Sequence, residues 1–221
     1  MCFLQGCAGT PHQYDYCAYQ EHMPRSILVL PPCNESMEVM APYIYLSTVT
    51  RPLAERGYYV FPVAVIDMLM KENGAPTPYD MARIPLAKIR EIINPDAVLY
   101  MTVKDWGTKY RLIDSATTVH LWGQLVDTDT GIVLWQGEHT VVRSSSEGQN
   151  DLIGMLVVAV VNQIVSSIAD PSRDVARMTN AQMFLNRNDG LLLGARHSGY
   201  EADQRQRREL MNQAIDESAS P

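Results

Sequence analysis

The chain has 221 residues, 46% of them hydrophobic, and carries 18 Lys and Arg against 25 Asp and Glu for a formal charge of −7. That length and apolar share fit one domain or one and a half with a core of its own, and exclude wholesale disorder. The acidic balance, with one tight basic cluster at Arg205, Arg207 and Arg208, excludes a nucleic-acid-binding stripe, and no apolar run reaches the ~18–20 residues that cross a bilayer as a helix.

The chain opens with a pattern that carries chemistry. Leu4-Gln5-Gly6-Cys7 resembles the lipobox of bacterial lipoproteins. A small residue before the cysteine lets a signal peptidase reach the backbone. The Cys7 thiol then takes a diacylglycerol, and two or more acyl chains anchor stably where one does not. Only six residues precede Cys7 and none is charged, so the expected n- and h-regions place the true start upstream of Met1 or imply a trimmed leader. Ala8 follows the cysteine and no Asp retention signal does, which resembles outer-membrane lipoproteins. Residues 1–24 are therefore expected to be lipobox and flexible tether. Within it, Tyr14, Tyr16 and Tyr19 either pack on the domain or lie near the headgroups. Four cysteines are present, at 2, 7, 17 and 33. With Cys7 lipidated and Cys2 removed, an oxidising periplasm leaves a Cys17–Cys33 disulfide or two free thiols as alternatives. The spacing fits no zinc site.

The predicted α/β domain spans 25–171. Ser26–Leu30 is a continuous apolar run ending at Pro31-Pro32, as in a strand covered on both faces. Asn34 or Ser36 is placed to cap the next helix, whose apolar face runs from Val39 to Leu53. Pro52 should kink or restart it, and Gly57 falls at the C′ position. Tyr58–Pro62 is a second strand, and Val65–Asn73 a short helix ended by Gly74. A proline-rich loop follows, then a helix opened by Pro85 with Leu86, Ile89, Ile92 and Ile93 on one face. Ala97–Val103 is the third strand. Strand, helix, strand, helices, strand argues for parallel pairing through right-handed crossovers. Asp105-Trp106-Gly107 is a strand end or bulge.

The pattern then changes to alternation. Val119, Leu121 and Leu125 share one face, and Thr118, His120, Trp122 and Gln124 the other. Asp127-Thr128-Asp129-Thr130-Gly131 is turn chemistry, and Ile132–Val142 returns as the second arm of a hairpin with one wet face. Asp151–Ala169 reads as a largely buried helix ended by Asp170-Pro171. Residues 172–221 form a C-terminal helical extension. Met178, Met183, Phe184, Leu185 and Leu191–Leu193 pack on the domain or on a second copy, and the polar end forms a solvated helix. The fold class is α/β, a mixed sheet with helices packed on it.

No phosphate loop, dinucleotide fingerprint or nucleophile elbow is present. His120 and His139 could face each other across the hairpin in the right register. Glu138 and His139, as strand neighbours, point to opposite faces and cannot share a metal. No cofactor, metal or small-molecule substrate is expected, and the chain is read as non-enzymatic. Trp106 and Trp122 are the candidate partner-binding residues, since an exposed Trp on the wet face marks a docking surface.

Three runs carry a family resemblance: Pro42–Pro62, Leu125–Trp135 and Gly190–Gly194. Together they resemble the Gram-negative lipoprotein family best known from a meningococcal vaccine-candidate antigen. The hairpin run is shared more widely, with domains similar to the TolB N-terminal domain and to CsgG-type curli-secretion lipoproteins. The resemblance implies a TolB N-terminal-like domain, often dimeric. It implies an outer-membrane anchor through Cys7, facing the periplasm or the surface, and a place beside a CsgG-like lipoprotein. It carries over no catalytic residue. The expected task is that of an accessory to an envelope transport or secretion assembly. The alternative is a regulatory or structural lipoprotein that touches peptidoglycan or its synthases, which the short tether disfavours.

Overall fold

The computed structural model of the chain describes residues 14–110, 115–144 and 171–219. In chain order these form α1 (Cys17–His22), β1 (Ser26–Val29), β2 (Cys33–Asn34), α2 (Ala41–Glu55), β3 (Tyr59–Val60), α3 (Val63–Glu72), α4 (Pro78–Ala82), α5 (Leu86–Ile92), β4 (Ala97–Tyr110), β5 (Ser115–Asp127), β6 (Val133–Ser144), α6 (Ser172–Leu185) and α7 (Tyr200–Ala219). The described strands make one sheet in the order β3-β1-β4-β5-β6, with β2 also paired to β4. β1 runs parallel to β3 and β4, whereas β5 runs antiparallel to both of its neighbours, β4 and β6. The mixed α/β fold is thus as expected.

The apolar run of β1 is buried on both faces because two cores meet there. Ile27 and Val29 join a large core with α2, α6 and the inner face of β4–β6. Leu28 and Leu30 join a smaller core under α3, α4 and α5. β4 divides the same way at its start: Ala97 and Leu99 face the large core, Val98 the small one. Further along, among the described residues, β4–β6 has helical cover on one face only.

Several expectations need correction. α2 does not begin at Asn34 or Ser36. Asn34 belongs to β2, and its side chain closes the following turn, accepting from the Ser36 backbone N–H and hydroxyl at 3.1 and 2.7 Å and donating to the Glu38 carbonyl at 2.8 Å. The helix starts at Ala41 with Pro42 in its first turn and runs through Pro52 without restarting. It ends in a Schellman motif: Gly57, at φ +90°, donates its N–H to Ala54 O, and Tyr58 donates to Leu53 O. β4 extends to Tyr110, well past Val103, because the chain bulges rather than ends at Asp105.

Residues 14–24 do not form the tether expected there. Tyr16 and Tyr19 are buried, and α1 packs against β6. The Tyr14 hydroxyl accepts from the Gln136 N–H at 2.8 Å, Tyr16 donates to the Gly190 carbonyl at 2.6 Å, and the Tyr19 and Tyr58 hydroxyls pair at 2.7 Å. Residues 14–24 therefore belong to the domain, since three tyrosines bury rings and satisfy hydroxyls there. At the other end, α6 packs on α2, β5 and β6 of the same chain, with Met183, Phe184, Leu191 and Leu192 in the large core. Buried Asn180 donates to Thr48 Oγ1 at 3.0 Å, tying α6 to α2. The helix expected at 151–169 lies outside the described residues. No described helix is long and apolar enough to cross a membrane.

Candidate interaction surface

The face of the antiparallel half-sheet turned away from α6 holds Trp122 and Cys33, two of the residues singled out from the sequence. Strand register sets one row across it: Cys33 pairs with Thr102, Thr102 with Trp122, and Trp122 with Glu138. Paired residues project to the same side. The neighbouring row is Tyr100, Gln124 and Gln136. Between β2, α4 and the sheet these rows border a groove of about 330 Å³, lined by Leu30, Pro31, Cys33, Tyr100, Trp122 and Gln124 among others. Trp122 is half-buried there, neither flat on solvent nor covered by a helix among the described residues.

Trp106 is elsewhere. It is 5% exposed and part of the large core, so it is not a docking residue. Simple alternation from Val103 would put it on the wet face with Thr102 and Lys104. The bulge between Val103 and Asp105 inserts one residue, so that Asp105 pairs with His120 and Trp106 with buried Val119. Its indole N–H finds no partner among the described residues. A second bulge acts in the same way on β6. Leu125 pairs with Trp135 and Val126 with Val133, which leaves Leu134 and Trp135 adjacent and both buried.

The two hairpin histidines do not face each other. His120 pairs with Thr140, and Leu121 with His139, a register that puts the rings on opposite faces. His120 Nε2 meets Glu138 Oε1 at 2.6 Å, and His139 Nε2 meets Gln182 Oε1 on α6 at 3.0 Å. Among the described residues no group of His, Cys, Asp and Glu is arranged to hold a metal.

Cys17 and Cys33 are both free, against the disulfide alternative. Cys17 starts α1, which packs on β6, whereas Cys33 starts β2 beside β4. Burial raises the pKa of the Cys33 thiol, and Glu35 raises it further, so it stays protonated near neutral pH. Cys33 is part of the groove wall rather than an activated nucleophile. Cys7 lies outside the described residues.

Beyond β2 the surface turns apolar in a way the sequence reading missed. Met37 is 98% exposed and Val39 78%, and Met40 and Tyr43 are also exposed. The turn that carries them is fixed by the Asn34 side chain and by Tyr79, whose hydroxyl donates to the Asn34 carbonyl at 2.9 Å. Lys104, paired with Glu35 at 3.0 Å, holds the other flank. Reading Val39 and Met40 as the first turn of a buried helical face concealed this patch, and only the late start of α2 exposes it.

The runs that carry the family resemblance converge on a different place, at the seam between α2, β3 and the loop after α6. Gly194 donates its N–H to Arg56 O at 2.7 Å, Arg56 Nε donates to Phe184 O at 3.1 Å, and Tyr58 donates to Leu192 O at 2.6 Å. Trp135 stacks on Phe184 and donates to Asp189 O at 2.6 Å. In the hairpin turn, Asp127 Oδ1 accepts from the N–H and hydroxyl of Thr130, each at 2.7 Å. These residues hold the fold together and bear no reactive arrangement.

The family described as Putative lipoprotein GNA1162-like matches residues 14–196. The chain belongs to this family. The family resemblance read from the three runs is therefore correct. Putative lipoprotein NMB1124/NMB1162 of Neisseria meningitidis serogroup B is 40% identical over 185 residues, covering 83% of this chain and 86% of the relative. The crystal structure of lipoprotein GNA1162 from Neisseria meningitidis matches with 44% identity and a TM-score of 0.54, over 65% of this chain and 99% of that one. A more distant likeness, the PelC dodecamer from Paraburkholderia phytofirmans, covers 72% of this chain and 85% of its own at 16% identity and a TM-score of 0.45.

Proposed function

We propose that the chain is a lipid-anchored outer-membrane protein, tethered through Cys7, that works by docking another envelope protein and not by catalysis. In this reading it is an accessory of a transport or secretion assembly, with a CsgG-like lipoprotein as the partner. The observation that carries it is the exposed apolar turn at Met37, Val39 and Met40, which follows β2, whose Cys33 lines the Trp122 groove. Apolar side chains held out by a fixed turn beside a half-buried Trp match the anchors of protein interfaces. Membership of a lipoprotein family supports a place in the envelope.

The test is photocrosslinking in living cells from single positions. A photoreactive residue in place of Met37 or Trp122 should capture a defined envelope protein, whereas one in place of Arg173, exposed on α6, should not. Equal yields from all three positions, or adducts only with further copies of the chain, would sink the reading. Capture of a peptidoglycan synthase would move the protein to wall regulation and end the transport assignment.

A further inference from the structure

A second concavity borders α4 and shares no lining residue with the Trp122 groove. It is a cavity of about 430 Å³ between the end of α3, α4 and α5. That volume is within the range of small-ligand sites, and roughly three times the ~150 Å³ engineered cavity that accepts benzene. Its floor is buried Met70, Ala75 and Ile89, and its walls are the half-buried Leu69, Ile84 and Ile93. It opens to solvent past Ile92, which is 65% exposed. Isoleucine and leucine offer water no hydrogen bonds, so a hydrocarbon chain is the better occupant.

The rim is polar and carries one unpaired cation among the described residues. Asn73, Asp80, Arg83 and Lys88 are the polar lining residues. Asn73 donates to the Leu69 carbonyl at 2.7 Å. Asp80 is committed to the α4 capping box, accepting from the Thr77 hydroxyl at 2.6 Å. Lys88 pairs with Glu91 at 2.9 Å. Arg83 is exposed and makes no ion pair among the described residues. Its guanidinium is a planar fork that suits a carboxylate or phosphate.

We propose that this cavity binds a single-chain amphiphile, its alkyl chain lying on Leu69, Ile84, Ile89 and Ile93 and its anionic head at Arg83. A free fatty acid and a phosphate-headed lysolipid share that chemistry. The site is separate from the proposed docking surface, so either can fail without the other.

The full chain, labelled at the isoleucine δ1 methyls, is titrated below micellar concentrations with decanoate, decyl phosphate and decanol, followed by NMR. Decanoate or decyl phosphate should shift the Ile84, Ile89, Ile92 and Ile93 methyls saturably at one site. Arg83→Gln should weaken the anions about tenfold, the usual scale of one charge-assisted contact at an open rim, and leave decanol unchanged. Ile92→Glu, at an exposed position that folding does not depend on, should weaken both anions by repulsion. Tighter decanoate assigns a fatty acid, and tighter decyl phosphate assigns the lysolipid. The proposal is overturned if those methyls do not saturate, or if decanol matches the anions and Arg83→Gln changes nothing.

Discussion

Replacing Gly57 by alanine tests the seam on which the family's sequence runs converge. Two penalties act at this position. Its φ of +90° is left-handed, which costs an L-residue about 1–2 kcal/mol. A Cβ there would also lie 2.4 Å from the His197 backbone nitrogen and 2.8 Å from the Gly194 carbonyl oxygen, both backbone atoms that cannot swing aside. Overpacking of that kind adds about 1–3 kcal/mol. The sum is about 4 kcal/mol, or a fall in Tm of about 8–16 °C for a chain of this size. Two further variants separate the penalties. Gly74 has φ +88° with nothing within 4 Å of its added Cβ, so Gly74→Ala should show backbone strain alone. Gly194 is not left-handed, yet its Cβ would meet the Gly57 carbonyl oxygen at 2.8 Å, so Gly194→Ala should show the clash alone. Urea unfolding followed by tryptophan fluorescence reads all three, since Trp106 and Trp135 are buried. If Gly57→Ala costs no more than Gly74→Ala, the seam is looser than described and the argument is wrong.

Other predictions concern the tyrosines and the thiols. Tyr58→Phe should cost about 2 kcal/mol, because the buried Leu192 carbonyl and Tyr19 hydroxyl each lose a partner. In a double-mutant cycle Tyr19→Phe should then add less than its single effect, and full additivity would show that the two hydroxyls are not coupled. Burial pushes the Tyr16 pKa up to about 12 and that of Tyr19 well above its ordinary value. The unfolded chain releases these protons near pH 10 and the folded chain keeps them. Stability is therefore fully present below pH 10 and falls as pH rises through about 12, by about 1.4 kcal/mol per pH unit for each such tyrosine. Tyr16→Phe should flatten that alkaline slope in pH-dependent urea titrations, and an unchanged slope counts against it. Adding dithiothreitol should leave Tm unchanged. A Cys17–Cys33 bridge would contribute about 3 kcal/mol and its reduction would lower Tm by about 6–12 °C.

What the sequence determined by itself is what local periodicity and turn chemistry encode. The doubly buried β1, the helix ends at Gly57 and Asn94-Pro95, the Asp127–Gly131 turn and the inward Val119, Leu121 and Leu125 all follow from spacing over a few residues. The resemblance also rests on such local runs, because glycines at 57 and 194 and the turn aspartate answer to backbone geometry that few residues satisfy. Tertiary structure decided everything that depends on register or on distant surfaces. One inserted residue at Asp105 sends Trp106 into the core, since strand side chains alternate with a period of two. A register offset of one parts His120 from His139 and gives them Glu138 and Gln182 instead. Tyr14, Tyr16 and Tyr19 lie in a stretch without periodicity, and only the Gln136 N–H on β6, the Gly190 carbonyl after α6 and the Tyr58 hydroxyl turn that stretch into part of the domain. The exposed apolar turn arises likewise from a tertiary choice: β2 takes Asn34 to pair with β4, α2 starts late, and Met37, Val39 and Met40 are left facing solvent.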